Sequence, residues 1–169
     1  MVHSVELVFD ADTEAAVRHL WDALREAGIP SQAPASRPHA TLTVAERIDP
    51  DVDELLRPLL ARFPLACRIG APLLFGRAKA VLARLVVPTA ELLQVHAEVH
   101  RLCLPHLRPG PMANAAPGQW TAHVTLARHV VPAQLGRAVR IAGKPAEIAG
   151  EVAGLRRWDG NAKQEHPIS

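Results

Sequence analysis

The stretch His39-Ala40-Thr41-Leu42 returns in the second half of the chain as His123-Val124-Thr125-Leu126. With nine His and six Thr in 169 residues, chance predicts roughly 0.3 occurrences of a His-x-Thr triplet, here named the HxT motif. Two occurrences, each followed by Leu, therefore need a physical reason.

The alternating geometry of a β-strand supplies such a reason. Residues i and i+2 of a strand point to the same face, so each His lies beside its own Thr, roughly 7 Å along the strand. If the two strands meet, their polar faces bring together two imidazoles and two hydroxyls, a set suited to phosphoryl transfer. The intervening residues then face an apolar core: Ala40, Leu42 and Val44 in the first copy, and Ala122, Val124 and Leu126 in the second.

Composition limits the class of protein. A chain of 169 residues with 49% hydrophobic content suits one domain or two small packed lobes. The net charge of +2 tolerates an anionic substrate but falls short of the dense basic patch of a duplex binder. Cys67 and Cys103 form neither a disulfide framework nor a metal-ribbon spacing. Without a signal-peptide pattern or a membrane-length apolar run, we expect a cytoplasmic protein with no membrane partner.

Local patterns predict alternating strands and helices. Helices are expected at 12–27, with Asp12 or Thr13 as N-cap, at 49–63, at 90–103, with Thr89 as N-cap, and at 132–141. Strands are expected at 5–9, 39–46, 65–75, 80–87, 120–129 and 147–156. Residues 76–79 are predicted to form a hairpin loop.

The two halves share one order of elements: strand, helix, proline-bearing loop, HxT strand, helix. This order indicates a degenerate internal duplication. We therefore expect a single α+β domain, residues 1–169, with two pseudo-two-fold-related lobes whose HxT-bearing halves are approximately 1–79 and 80–169. Each lobe is expected to be a small antiparallel sheet with helices on its outer face, and both HxT faces are expected to line a central cleft.

At these motifs the sequence resembles the 2H phosphoesterase superfamily, also described as the 2'-5' RNA ligase or RNA 2',3'-cyclic phosphodiesterase family. Trp120 ahead of the second motif and Leu126-Ala127-Arg128 at its end also resemble the family pattern. The resemblance implies a bilobal α+β fold, no cofactor or required metal, and activity on 2',3'-cyclic phosphates. It implies a catalytic role for His39, Thr41, His123 and Thr125.

The chemistry of a cyclic phosphate fits these residue types. Ring opening needs one base and one acid roughly in line, and an unperturbed histidine pKa of about 6.5 suits both tasks. Threonine hydroxyls can donate to the non-bridging oxygens. The sequence predicts hydrolysis of an RNA 3' end or a small cyclic nucleotide to a 2'-phosphate, with 2'-5' ligation as the reverse reaction, by a monomer. Which histidine is the acid stays open.

Substrate-binding candidates surround the motifs. Strict alternation from His123 points Arg128 off the groove face, unless a bulge redirects the strand. Trp120 and Phe9 are candidates for stacking on a base, and core packing explains both equally well. Further candidate cations are Arg37, Arg77, Arg84 and Lys79.

Two alternatives remain at this point. One is a non-catalytic module that binds RNA or phosphate in the same cleft. The other is a zinc-dependent hydrolase built on His96 and His100, spaced i and i+4 on one helix face, with Cys103 one turn later. The helix lacks an HExxH pattern and a fourth ligand is not evident. Activity in the presence of a chelator separates the zinc alternative, and product formation separates the binding module.

Overall fold

A computed structural model of the chain describes residues 1–76 and 78–169. In chain order its strands are β1 (His3–Phe9), β2 (His39–Ala45), β3 (Arg47–Ile48), β4 (Leu65–Phe75), β5 (Ala80–Val86), β6 (Leu107–Arg108), β7 (His123–Val130), β8 (Ile148–Asp159) and β9 (Gln164–Pro167). Its α-helices are α1 (Ala11–Glu26), α2 (Val52–Leu56), α3 (Ala90–Cys103) and α4 (Leu135–Ala142).

Side-chain caps begin the two long helices. The Thr89 side chain accepts a hydrogen bond from the backbone of the first turn of α3, and α3 has the predicted limits. Helix α1 begins earlier than predicted, because Asp10 rather than Asp12 or Thr13 is its N-cap. The Asp10 carboxylate accepts from the backbone N–H of Thr13 at 3.3 Å, which satisfies an otherwise unpaired amide.

Some elements depart from the predicted pattern. Helix α2 is shorter than predicted, because Pro58 has no N–H for the α-helical ladder, and Arg57–Arg62 continues as a 3-10 helix. Strand β9 and the short pair of β3 with β6 were not predicted. Their sequences carry no strand periodicity, so only tertiary pairing reveals them.

One antiparallel sheet carries both HxT motifs. Among the described residues, hydrogen bonds join seven strands in the order β2-β1-β8-β4-β5-β7, and β9 pairs with β8. Strands β2 and β7, which carry the motifs, lie at opposite ends of this order. They nevertheless contact each other, so the sheet curls until its two end strands meet.

Strand β4 connects the two parts of this sheet. Its first part, from Leu65 to Ile69, pairs with β8, and its second part, from Pro72 to Phe75, pairs with β5; Ile69 also pairs with Val86 of β5. The β4–β5 register shifts between Ile69 and Pro72. The predicted antiparallel α+β fold is confirmed. The two lobes and their boundary near residue 79 stay a prediction, because β8 pairs with both β1 and β4 in one continuous sheet.

The apolar sides of both motifs belong to one core. Ala40 and Leu42 of β2 and Val124 and Leu126 of β7 are buried in it, as strand alternation predicts. Helix α1 packs against β7, β8 and α4, and α3 packs against β2 and α2. Among the described residues, every helix is too short or too polar to cross a lipid bilayer.

Arg84 of β5 is fully buried and binds the backbone around the β4 register shift. Its guanidinium donates to the carbonyl oxygens of Ile69, Gly70, Ala142 and Ala146. Burial lowers its pKa. The prediction that Arg84 adds positive charge to the cleft is wrong, because the side chain is enclosed between β4 and the end of α4.

Replacing Arg84 with Met is expected to lower the free energy of unfolding by about 3 kcal/mol, because four carbonyls, two of them in fully buried hydrogen bonds, lose a charged donor. Urea denaturation measures this loss. Arg68→Met is the matched control, because the Arg68 side chain is 67% exposed and its loss is expected to cost no more than about 0.5 kcal/mol. Equal losses in both variants would contradict a structural role for Arg84.

Candidate active site

A backbone carbonyl two residues upstream orients each HxT histidine. Nδ1 of His39 lies 2.8 Å from the Arg37 carbonyl oxygen, and Nδ1 of His123 lies 2.8 Å from the Thr121 carbonyl oxygen. A carbonyl oxygen only accepts, so both Nδ1 atoms carry a proton and donate it. Nε2 of each ring is therefore the atom that exchanges a proton with a substrate. These carbonyls are orienting partners that the sequence did not identify.

A β-bulge follows the Thr of each motif. Leu42 is the extra residue in the β1–β2 ladder, and Leu126 is the extra residue in the β5–β7 ladder. Since a bulge reverses the alternation of faces beyond it, Val44 and Arg128 both line the space between the strands. The prediction that Val44 faces the core is wrong for this reason. The sequence predicted that Arg128 faces the groove only if a bulge redirects the strand. The bulge at Leu126 does so.

Reciprocal indole contacts satisfy the backbone next to both bulges. Nε1 of Trp120 donates to the Thr41 carbonyl oxygen at 2.9 Å. Nε1 of Trp21 donates to the Thr125 carbonyl oxygen at 3.2 Å. Each half of the chain thus supplies the tryptophan that binds the HxT strand of the other half.

A cavity of about 520 Å³ lies between β2 and β7. His39 is not one of its lining residues; it lies on the same strand face as Thr41, with 31% of its side chain exposed. The cavity therefore reaches three of the four HxT side chains directly, and His39 lies beside it. The lining side chains used below are Thr41, Phe75, Trp120, His123, Thr125 and Arg128.

His123 lies in an environment that favours the neutral ring. Its imidazole packs against Phe75, with ring centroids 4.8 Å apart. Burial lowers the pKa of His123, the Thr121 carbonyl raises it, and the charges of His39 and Arg128 lower it further. A neutral imidazole at neutral pH is what a general base requires. The two HxT rings are also close enough to interact electrostatically.

Residues 11–163 match the family model of the 2'-5' RNA ligase superfamily. The chain belongs to this superfamily. The match includes both HxT motifs, so the resemblance seen in the sequence is confirmed. A search of curated proteins gives no match. Membership of the superfamily supports an enzyme that acts on phosphodiester bonds.

Several solved structures have a fold similar to that of this chain, at low sequence identity. Kluyveromyces marxianus Usb1 with uridine monophosphate has a TM-score of 0.54 and 11% identity, covering 99% of this chain and 98% of that chain. E. coli LigT with 3'-AMP has a TM-score of 0.56 and 13% identity, covering 99% and 94%. The MHV ns2 PDE domain has a TM-score of 0.54 and 16% identity, covering 99% of both chains.

Some residues that the sequence predicts to bind substrate do not line the cavity between β2 and β7. Phe9 is 2% exposed, because β1 is buried along its whole length, so the prediction that it stacks on a base is wrong. The guanidinium of Arg37 pairs with two glutamates instead of entering the cavity. Lys79 is exposed beside the β4–β5 turn. Arg77 lies outside the described residues.

The zinc alternative does not fit the geometry of α3. Nε2 of His96 lies 3.2 Å from the Leu42 carbonyl oxygen, and the ring stacks on Trp120 with centroids 3.9 Å apart. Burial raises the pKa of the Cys103 thiol to about 12, which opposes the thiolate form that binds metal. Within residues 1–76 and 78–169, three or more His, Cys, Asp or Glu side chains are nowhere grouped to hold a metal ion.

Two residues beside the histidines were missed in the sequence. Oε1 of Glu6 lies 3.6 Å from Nε2 of His39. In the sequence, Glu6 is distinguished only as the single acidic residue of the predicted apolar strand 5–9. Only the β1–β2 register, which pairs Glu6 with Thr41, brings it to the site. Phe75 is the last residue of β4. The sequence predicted that Phe75 lies in a strand, but it did not predict that its ring packs against His123.

Replacing Arg128 with Gln is expected to raise the pKa of His123, because it removes a positive charge that opposes protonation of the ring. Since Arg128 is exposed and screened by solvent, the expected rise is less than about one unit. NMR titration of the imidazole measures it. The difference in His123 pKa between the unaltered protein and Arg128→Gln should shrink at high ionic strength. A lower His123 pKa in Arg128→Gln would contradict the placement of Arg128 beside this ring.

Proposed function

We propose that this protein is a metal-independent phosphoesterase that hydrolyses 2',3'-cyclic phosphates, at an RNA 3' end or on a small nucleotide, to 2'-phosphates. The duplicated histidine geometry carries this proposal. Each HxT ring has its Nδ1–H bound to a carbonyl and its Nε2 available, which supplies one acid and one base for a single displacement at phosphorus.

The reaction follows from these groups. One Nε2 accepts a proton from water as the water oxygen attacks phosphorus. The bond between phosphorus and O3' breaks, and the second Nε2 donates its proton to O3'. The hydroxyls of Thr41 and Thr125 donate to the non-bridging oxygens during the displacement. When a 5'-hydroxyl attacks phosphorus in place of water, its proton passes to the same base, the same bond to O3' breaks, and the product is a 2'-5' phosphodiester, which is ligation.

The cavity supports a nucleotide as the substrate class. Its volume of about 520 Å³ is in the range of small-molecule sites. Phe75 and Trp120 supply aromatic surface for a base, and Arg128 supplies a cation for phosphate. The similar Usb1 and LigT structures contain uridine monophosphate and 3'-AMP, which is consistent with this ligand class.

The remaining parts of the proposal concern the whole protein. We place it in the cytoplasm as a monomer of one bilobal domain. Cys67 and Cys103 are free and buried, and burial raises their pKa values to about 11 and about 12. Both side chains therefore favour the protonated thiol, which supports a reducing compartment. Light scattering during gel filtration tests the monomer.

A panel of the four nucleoside 2',3'-cyclic monophosphates and an oligoribonucleotide with a cyclic end tests the proposed reaction. We expect 2'-phosphate products, identified by chromatography, with unchanged rates in EDTA. His39→Ala and His123→Ala are each expected to lower kcat by at least about 100-fold, because each removes one proton-transfer group. His19→Ala is the control, because His19 is an exposed residue of α1.

Each alternative predicts a different result in this panel. Binding of the cyclic nucleotides without product would favour the non-catalytic module. Loss of activity in EDTA would favour metal-dependent hydrolysis. Near wild-type turnover by either HxT alanine variant would refute the two-histidine mechanism.

Thr41→Val and Thr125→Val are each expected to lower kcat by about 100-fold, because each removes one donor to the charge that develops on phosphate oxygens. Thr43→Val is the matched control on the same strand. The Thr43 side chain is buried, and its Oγ1 has no hydrogen-bond partner among the described residues, so kcat should be retained. Steady-state kinetics measure all three, and equal effects of Thr41→Val and Thr43→Val would contradict the role of Thr41.

A further inference from the structure

Resting on the proposed function, we propose that Glu6 is a positioning residue that keeps a proton on Nε2 of His39, so that His39 is the general acid and His123 the general base. The proposal starts from the one carboxylate that approaches an HxT imidazole among the described ion pairs. It deepens the mechanism by assigning the two roles that the symmetric motifs leave open.

The Glu6 carboxylate is held rigidly in the fold. The side chain is 3% exposed. Its Oε1 accepts from the Ser4 hydroxyl, and its Oε2 lies 2.7 Å from both Nε and Nη2 of Arg156. The Glu6–Arg156 ion pair therefore fixes the position of the carboxylate on β1, next to Thr41 of β2.

The position of this charge suits a proton donor. Oε1 of Glu6 lies 3.6 Å from Nε2 of His39. At this distance the carboxylate stabilises positive charge on the ring, but the separation exceeds that of a normal hydrogen bond. The Nε2–H bond is thus not captured by Glu6 and remains available to the departing O3' of the substrate.

Other charged groups face His39 from neighbouring elements. Nη2 of Arg156 on β8 lies 3.5 Å from Nδ1 of His39 and opposes ring charge. Nη1 of the same arginine pairs with Glu165 of β9 at 2.7 Å. The Arg37 guanidinium also pairs with Glu165. Across the cleft, the charge of His39 also acts on His123 of β7.

The second motif has the opposite surroundings. In the β5–β7 ladder, Ala83 pairs with Thr125 as Glu6 pairs with Thr41, so the corresponding position holds a methyl group. Arg128 places positive charge near His123, and burial lowers the pKa of that ring. His123 therefore receives the proton from water, while His39 gives its proton to O3' as the bond to phosphorus breaks. Solvent then restores both rings to their starting forms.

The pH dependence of kcat/KM for a nucleoside 2',3'-cyclic monophosphate tests this assignment. In Glu6→Gln the protonated acid is less stable, so the alkaline limb should move to lower pH by about one unit, with the acid limb in place. Glu6→Asp keeps a charge for Arg156 and should move the limb less. Glu14→Gln makes the same charge change at a residue that pairs with Arg18 and Arg37, and should move neither limb.

Movement of the acid limb in Glu6→Gln would overturn the assignment, as would equal shifts in Glu6→Gln and Glu14→Gln. Circular dichroism establishes that each variant is folded, and Glu6→Asp serves if Glu6→Gln is not. A second measurement separates this inference from the proposed function. NMR titration of His39 in a His123→Ala background should show a lower midpoint when Gln replaces Glu6.

The two proposals fail in different ways. Absence of turnover in the unaltered protein would contradict the proposed function, and the NMR titration would still report on Glu6 and His39. A His39 titration that is unchanged by Glu6→Gln would overturn the inference, whatever the turnover.

Discussion

The β-bulge behind each HxT triplet is the constraint on which the site depends. By inserting Leu42 and Leu126 as extra residues, it brings Val44 and Arg128 to the cavity and interrupts the ladder of two strands that lie at the ends of the sheet order. Buried carbonyls need donors. The tryptophans Trp120 and Trp21 meet that need at the threonines of the two HxT motifs. The bulge and its indole therefore form one unit, repeated on each side of the cleft.

These units tie the two halves of the chain together. Trp21 comes from the first half and binds the second HxT strand, while Trp120 comes from the second half and binds the first. Backbone contacts repeat the exchange, since Gln32 N–H donates to the carbonyl of Leu126 and Met112 N–H donates to that of Val44. Each half therefore relies on the other for hydrogen-bond donors to its HxT strand. The symmetry stops at the charges, because Glu6 faces one histidine and Arg128 lies near the other.

Local chemistry made much of this structure predictable. The HxT motifs predicted the strands β2 and β7, and the Thr89 cap with its helical periodicity predicted α3 with its observed limits. Features set by distant contacts were not predictable. In the sequence, Arg84 cannot be distinguished from an exposed arginine on a strand, because the four carbonyls that it binds come from distant residues. Glu6 lies near His39 because of the register between β1 and β2, which the sequence does not show. Bulges likewise depend on which strand is opposite, so the orientation of Arg128 required the assembled sheet.

The continuity of β4 has a consequence for how the cleft works. One strand hydrogen-bonds to β8 along its first part and to β5 along its second. A hinge that opened the cleft would have to bend β4 between Ile69 and Pro72. The Arg84 guanidinium holds the Ile69 and Gly70 carbonyls there, so large rigid-body closure around a ligand is disfavoured. In the proposed reaction, imidazoles and hydroxyls held in this way would need little reorganisation energy as charge develops at phosphorus.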